Sequence, residues 1–446
     1  MELKLNNRRT ILVGLAFLSI CAFWQMYDNI VPLILTNTFH LNETFSGAIM
    51  AADNILALFL LPLFGSFSDR TNTKIGRRMP YILIGTACAV VLTNILPILD
   101  NSYAAAPSTG KLIAFVVVLG LLLVSMGTYR SPSVALMPDV TPKPLRSKGN
   151  AIINLMGALG GIIYLAIAAV LYPNSKTEGL SHVNYQVLFL SVGLIMAVSI
   201  VILFLTIKEP KLIAEQAALE KKHPEWNLAE DDGSGNEALP PAVKRSLTFI
   251  LLSIALWFIG YNAVTTWWST YVSVQMGQGI GGASTCLLIA TGGAIISYIP
   301  IGVIASKVGR KKTIQFGIIL LAACFLGGYF LTTKYDHINA IMFITFALVG
   351  LAWASINVNS LPMVVEMCKG SDVGRFTGLY YTFSMSAQVV TPILAGWLLR
   401  HVGYWTLFPY AAFFVAMSFV TMLFVRHGDS KTSGGRGLEA YEDLDV

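Results

Sequence analysis

Twelve stretches of this chain are apolar over about twenty or more residues, the length an α-helix needs to cross about 30 Å of hydrocarbon. Lipid offers no hydrogen bonds, so each stretch must satisfy its backbone groups internally and is expected as a helix. The limits read from the sequence are 10–35, 45–67, 80–99, 112–138, 148–172, 185–207, 246–273, 282–306, 313–332, 339–365, 375–399 and 404–426. Composition agrees, with 55% of the 446 residues hydrophobic and 12% charged, about half the charged fraction of a soluble domain. The expected class is an all-α membrane protein with twelve transmembrane helices.

Charge sets the orientation. With the N-terminus inside, 25 of the 30 Lys and Arg residues fall on the cytoplasmic side; only Lys111, Lys176, Lys334 and Arg400 fall outside, and Arg130 lies within a span. Both termini are therefore expected in the cytoplasm of a multi-pass plasma-membrane protein. The net charge of +6 is dispersed over loops, which speaks for topology and against a nucleic-acid partner. Met1 to Arg9 is short and basic and no small-residue cleavage site follows, so the first helix is expected to stay. Cys21, Cys88, Cys286, Cys324 and Cys368 show no metal or disulfide spacing and are expected as packing residues, and no cofactor or metal is expected.

A polar insert, 208–245, is the one long break between apolar segments and separates two sets of six. The expected organisation is an N-terminal bundle over 1–207, a cytoplasmic linker over 208–245, a C-terminal bundle over 246–426 and a polar, disordered tail over 427–446. An internal repeat supports the division: Gly302 to Lys312 after span 8 echoes Gly65 to Arg78 after span 2, with Ser306 in the place of Asp69. Asp139 ends span 4 as Glu366 ends span 10. Two homologous halves fit a 6+6 transporter whose site lies between them near the bilayer midplane, working by alternating access.

An ionisable residue inside a bilayer costs at least about 2.5 kcal/mol, so each needs a cavity, a partner or a function. Three stand out: Asp28, Asp53 and Arg130, all in the N-terminal half. Arg130 is about 14 Å above Asp139 and Asp53 about 18 Å above Gly65 at 1.5 Å per residue, so they share a depth. Asp28 shares one helix face with Trp24 and Gln25. Burial and a nearby guanidinium act oppositely on a carboxylate, so substrate or conformation could switch its protonation, as proton coupling requires. Two readings stand: Asp28 or Asp53 is a coupling acid, or an acid forms a permanent structural pair with Arg130, for which Asp53, next to Asn54, is the better fit.

The C-terminal half offers uncharged polar and aromatic stripes. Span 7 carries Tyr261, Asn262, Thr265, Thr266 and Ser269; span 10 carries Trp353, Asn357 and Asn359; span 11 carries Thr377, Tyr381, Ser384, Gln388 and Thr391. Span 5 adds Asn150 and Asn154. Amides and hydroxyls beside aromatic faces suit a neutral polyol such as a sugar. The competing reading makes Asn and Ser bridges between helices and Trp and Tyr an interfacial belt, with Trp267 and Trp268 the best belt candidates. The expected substrate contacts are Trp24, Gln25, Asp28, Arg130, Asn150, Asn154, Tyr261, Asn262, Thr265, Asn357, Asn359, Tyr381 and Gln388.

Gly65, Asp69 and Arg70, followed by Gly76, Arg77, Arg78 and Pro80, resemble the loop between helices 2 and 3 of the major facilitator superfamily. The long spacing before Gly76 is similar to the sucrose transporters and their relatives among the glycoside-pentoside-hexuronide:cation symporters. Pro132 to Thr141, Gly149 to Gly160, Asn357 to Glu366 and Thr377 to Gln388 resemble that branch too. The resemblance implies two pseudo-symmetric six-helix bundles and a cytoplasmic gate, placed here at Gly65, Asp69, Arg70, Gly76, Arg77, Arg78, Asp139 and Glu366. Two departures bear on coupling. The helix-4 position that holds an acid in melibiose carriers falls at Arg130 here, and the coupling acid of plant sucrose transporters falls at Val118 to Gly120, leaving Asp28 for a proton.

The expected activity is proton-coupled symport of a neutral disaccharide or glycoside by a monomer, with a sugar facilitator or exporter as the alternative. No Ser/His/Asp set, His-rich metal cluster or phosphate-cradling loop argues for an enzyme. His182 is read as a loop residue. The insert is too short and polar for a sensor domain.

Overall fold

The protein is described by a computed structural model over residues 5–142, 145–177, 180, 182–222, 240–367 and 373–429. The acidic part of the insert over 223–239, Cys368 and the tail from 430 lie outside the described residues. Among those described, twelve helices are long and apolar enough to cross a membrane. The first six are α1 (Asn7–Asn37), α2 (Glu43–Arg70), α3 (Met79–Ala105), α4 (Thr109–Asp139), α5 (Arg146–Leu171) and α6 (Gln186–Thr206). The others are α8 (Pro241–Met276), α9 (Ile280–Val308), α10 (Arg310–Lys334), α11 (Ala340–Val365), α12 (Val373–His401) and α13 (Leu407–Leu423).

Helices run past their apolar limits because polar caps continue them. Asn6, Ser108 and Asn339 accept backbone N–H groups at the starts of α1, α4 and α11. Pro240 and Pro241 begin α8, and Gly277, at φ 64°, ends it with its N–H on the Val272 carbonyl. The insert, expected as a plain polar linker, opens with an amphipathic helix, α7 (Glu209–Lys222).

Two compact units divide the chain. One holds α1, α2 from Ala52 onward and α3–α7; the other holds α8–α13 together with Asn42–Ala51, the start of α2. In the first, α1 packs on α5 and α6, and α3 on α4 and α6. In the second, α8 packs on α12 and α13, and α10 on α11 and α13. Helix for helix these pairings correspond, so the repeat in the sequence is a repeat of packing. Close approach is made by glycine: a Cβ at Gly160 of α5 would fall 2.0 Å from the Leu18 carbonyl oxygen of α1.

Candidate transport site and its ion-pair frame

The loop after α2 is held inside the first unit by an ion network centred on the buried Arg78. Arg78, with a side chain 6% exposed, donates from Nε to Asp139 Oδ2 at 2.8 Å and pairs with Asp69 at 2.5 Å. Its Nη1 donates to Ser68 Oγ at 2.6 Å. Arg77 meets the same Asp139 at 2.6 Å. Burial works against the charge on Arg78, but its bonds to Asp139 and Asp69 outweigh that cost and hold its pKa above the ordinary arginine value. Arg70, expected in the same network, is exposed.

Glu209, which the sequence reading passed over, completes this frame. Fully buried at the start of α7, its carboxylate accepts from the backbone N–H groups of Arg77 (2.8 Å), Arg78 (2.9 Å) and Met79 (2.9 Å). It thereby caps α3, where the helix dipole favours an anion. Gly76 sits at φ 119°, and a Cβ there would lie 2.1 Å from Glu209 Oε2.

The second unit repeats the device. Gly309 takes φ 105°, Arg310 pairs with Glu366, and Asp429, just past α13, accepts from the Lys311 N–H at 3.2 Å. Gly76, Arg77, Asp139 and Glu209 thus correspond to Gly309, Arg310, Glu366 and Asp429. The only signal in the sequence was a lone acid just after the sixth and the twelfth span.

Within the first unit, Trp24, Gln25 and Asp28 are half-buried on α1, between the fully buried Phe23, Met26, Tyr27 and Asn29. Arg130 of α4, also half-buried, places its guanidinium carbon 5.5 Å from the Trp24 ring centre, a cation–π contact. Asp53 accepts from Asn54 Nδ2 at 2.8 Å. Asp53 lies within electrostatic reach of both Asp28 and Arg130. Among the described residues, however, neither acid closes an ion pair with Arg130 within 4.0 Å. The permanent Asp–Arg pair weighed from the sequence is therefore absent, and Arg130 rests on an aromatic face. Asn150 and Asn154 lie exposed on α5.

In the second unit, Tyr261 stacks on Trp353 with ring centres 3.8 Å apart and planes at 8°. Both are half-buried, as are Asn262, Thr265, Asn357 and Gln388. The Asn262 amide nitrogen has no partner among the described residues, and Asn357 lies near Tyr298. The other expected residues are placed as follows. Asn359 is buried and donates to the Ser355 carbonyl of its own helix at 2.9 Å, so it is spent internally. Tyr381 is exposed while its neighbour Tyr380 turns inward to the Ser360 hydroxyl at 3.1 Å. Trp267 and Trp268 are fully buried, with Trp268 among Tyr271, Phe346 and Phe408, and form no interfacial belt. The side chain of Thr377 lies outside the described residues.

A family model for the Major Facilitator Superfamily matches residues 13–333 and again 280–441. The chain is 27% identical over 146 residues to the sucrose transport protein SUC3 of Arabidopsis thaliana, covering 30% of this chain and 24% of that protein. It is 22% identical over 391 residues to the uncharacterized symporter YnaJ of Bacillus subtilis, covering 83% and 77%. It spans under half the length of the first curated relatives it matches. Among solved structures, the xylose transporter XylE from E. coli superposes with a TM-score of 0.67 at 14% identity, covering 98% of each chain, which is a likeness of fold.

Proposed function

The chain belongs to the Major Facilitator Superfamily, and we propose that it carries a neutral sugar, a disaccharide or glycoside, together with a proton across the plasma membrane by alternating access. It is a multi-pass membrane transporter and not an enzyme. The sugar part of the reading is supported by curated relatives named as sucrose transport proteins and by the uncharged aromatic and amide groups around Tyr261 and Trp353. Both faces of a hydroxylated ring are served by such groups, apolar contact on one side and donors or acceptors on its edge.

The observation that carries the coupling is Asp28. Its carboxylate is half-buried in an intramembrane helix, with no hydrogen bond or ion pair to any described residue. A charge held that deep without a fixed partner is costly, so it is a functional group by default. Asp53, already bonded to Asn54, stands close enough for the charge on one acid to oppose that on the other. Arg130 and Trp24 then form the adjacent wall of the site, with Gln25 beside them. The gate residues Asp69, Arg77, Arg78 and Asp139 frame the cytoplasmic end of the first unit, and Arg310 with Glu366 that of the second.

Uptake of labelled mono- and disaccharides into proteoliposomes, with and without an imposed pH gradient, tests the reading. Accumulation of one sugar above equilibrium under the gradient is expected. Asp28→Asn should abolish that accumulation while exchange of the same sugar across the membrane persists. Equilibration without accumulation in the unaltered protein would instead make it a facilitator.

A further inference from the structure

Asp100, near the end of α3, is 0% exposed, and neither carboxylate oxygen forms a well-made hydrogen bond among the described residues. The Thr38 hydroxyl and the His182 ring come near it, Nε2 of His182 standing 3.8 Å from Oδ2. An ionised carboxylate so placed lacks the donors that would offset its lost hydration. None of the groups proposed for sugar transport touches it.

His182 lies between α5 and α6, outside the membrane-spanning helices, with a side chain 23% exposed. Its Nε2 stands 2.8 Å from Asn101 Oδ1, an acceptor, so Nε2 carries the proton and Nδ1, 3.4 Å from the Thr38 hydroxyl, is the free base. Asn101 in turn donates to Asn184 Oδ1 at 2.9 Å, and Asn184 Oδ1 also accepts from the Gln186 N–H that begins α6. The ring therefore joins the end of α1, through Thr38, to the end of α3 and the start of α6, all in one unit.

We propose that Asp100 and His182 form a second proton site, separate from the acids of α1 and α2, and that a proton bound there clamps residues 182–185, which lead into α6, onto the ends of α1 and α3. The proton comes from solvent and adds at Nδ1. Thr38 then turns from donor to acceptor, and Asp100 gains a cation at 3.8 Å in surroundings where Coulomb attraction is strong. The carboxyl and the ring titrate as a pair, so the site holds one proton between them, and without it residues 182–185 loosen. Burial lowers the His182 pKa below the ordinary histidine value, so the ring is neutral near pH 7 and charges only on acidification. The other titratable and charged groups facing the pair from neighbouring elements are Tyr185, Tyr172 and Lys111. Tyr185 is buried beside Asp100, Tyr172 donates to the Asn184 carbonyl, and Lys111 is spent on the Ser102 and Ala106 carbonyls.

The test needs no sugar, so its failure and that of the transport reading are distinguishable. The histidine ring resonances of the full chain in nanodiscs are titrated by NMR, with His182→Gln identifying the His182 signal. A midpoint below about 6.5 is expected, shifted further down in Asp100→Asn. In parallel, hydrogen exchange of the backbone amides of 182–185, corrected for intrinsic rates, is expected to slow several-fold in acid in the unaltered protein. It should show no such change in His182→Gln. Identical His182 titration with and without the Asp100 carboxylate overturns the proposal. So does loop protection whose pH dependence survives His182→Gln, which decides the matter even if Asp100→Asn does not fold.

Discussion

Glu209 accepts from three successive N–H groups, so truncating it should cost more than loss of a surface charge. Glu209→Ala leaves the first turn of α3 uncapped and is expected to destabilise the first unit by about 2 kcal/mol, the scale of one or two charge-assisted hydrogen bonds. Glu209→Gln, which keeps an oxygen acceptor but no charge, should recover part of that. Gly76→Ala should be worse than either, since it adds a methyl 2.1 Å from the carboxylate at a φ of 119°. Thermal unfolding in detergent ranks the three; Gly76→Ala as stable as the unaltered protein would contradict the geometry. At this scale the sequence was only partly legible. Arg77, Arg78 and Asp139 declare themselves because charges bordering an apolar run need partners. Glu209 does not, because beyond the span an acid among lysines looks like ordinary solvated surface.

At the scale of helices, the stripes of polar residues were readable but their surroundings were not. Periodicity fixes which side chains share a face, whereas lipid and protein interior are equally apolar and leave no difference in pattern. That is why Trp267 and Trp268, expected at the interface, lie in the core, and why Asn359 bonds its own helix. Glycine carries the missing information. A Cβ at Gly396 of α12 would fall 2.2 Å from the Glu43 carbonyl oxygen at the start of α2, and one at Gly47 would fall 2.1 Å from the Pro392 carbonyl oxygen. Both contacts lie within the second unit, where Tyr404 also donates to Glu43 at 2.8 Å. Gly120 and Gly292, by contrast, have nothing within 4 Å of an added Cβ. Gly396→Val should therefore cost about 2 kcal/mol or more through forced separation of two backbones, and Gly120→Val close to nothing. Melting temperatures of the two variants check this, and equal effects would refute it.

For the molecule as a whole, the twelve spans and the repeat were legible because both are imposed along the entire length of the chain. Hydrocarbon thickness sets the spans, and duplication leaves matched glycines, bases and acids at matched ends. The two units return four matched helix pairings and the same glycine-loop device from sequences that differ at most positions. Orientation follows from the sum of many small preferences, since no single Lys or Arg fixes it and 25 of 30 share one side in the favoured arrangement. It can be read directly by placing one cysteine on each face. Lys74 in the loop after α2 and Lys176 between α5 and α6 are both exposed. In intact cells, Lys176→Cys should react with a membrane-impermeant maleimide, while Lys74→Cys should react only after the membrane is permeabilised. The reverse labelling would invert the topology and move the Asp100–His182 cluster to the cytoplasmic side, where an acidic exterior could not reach it.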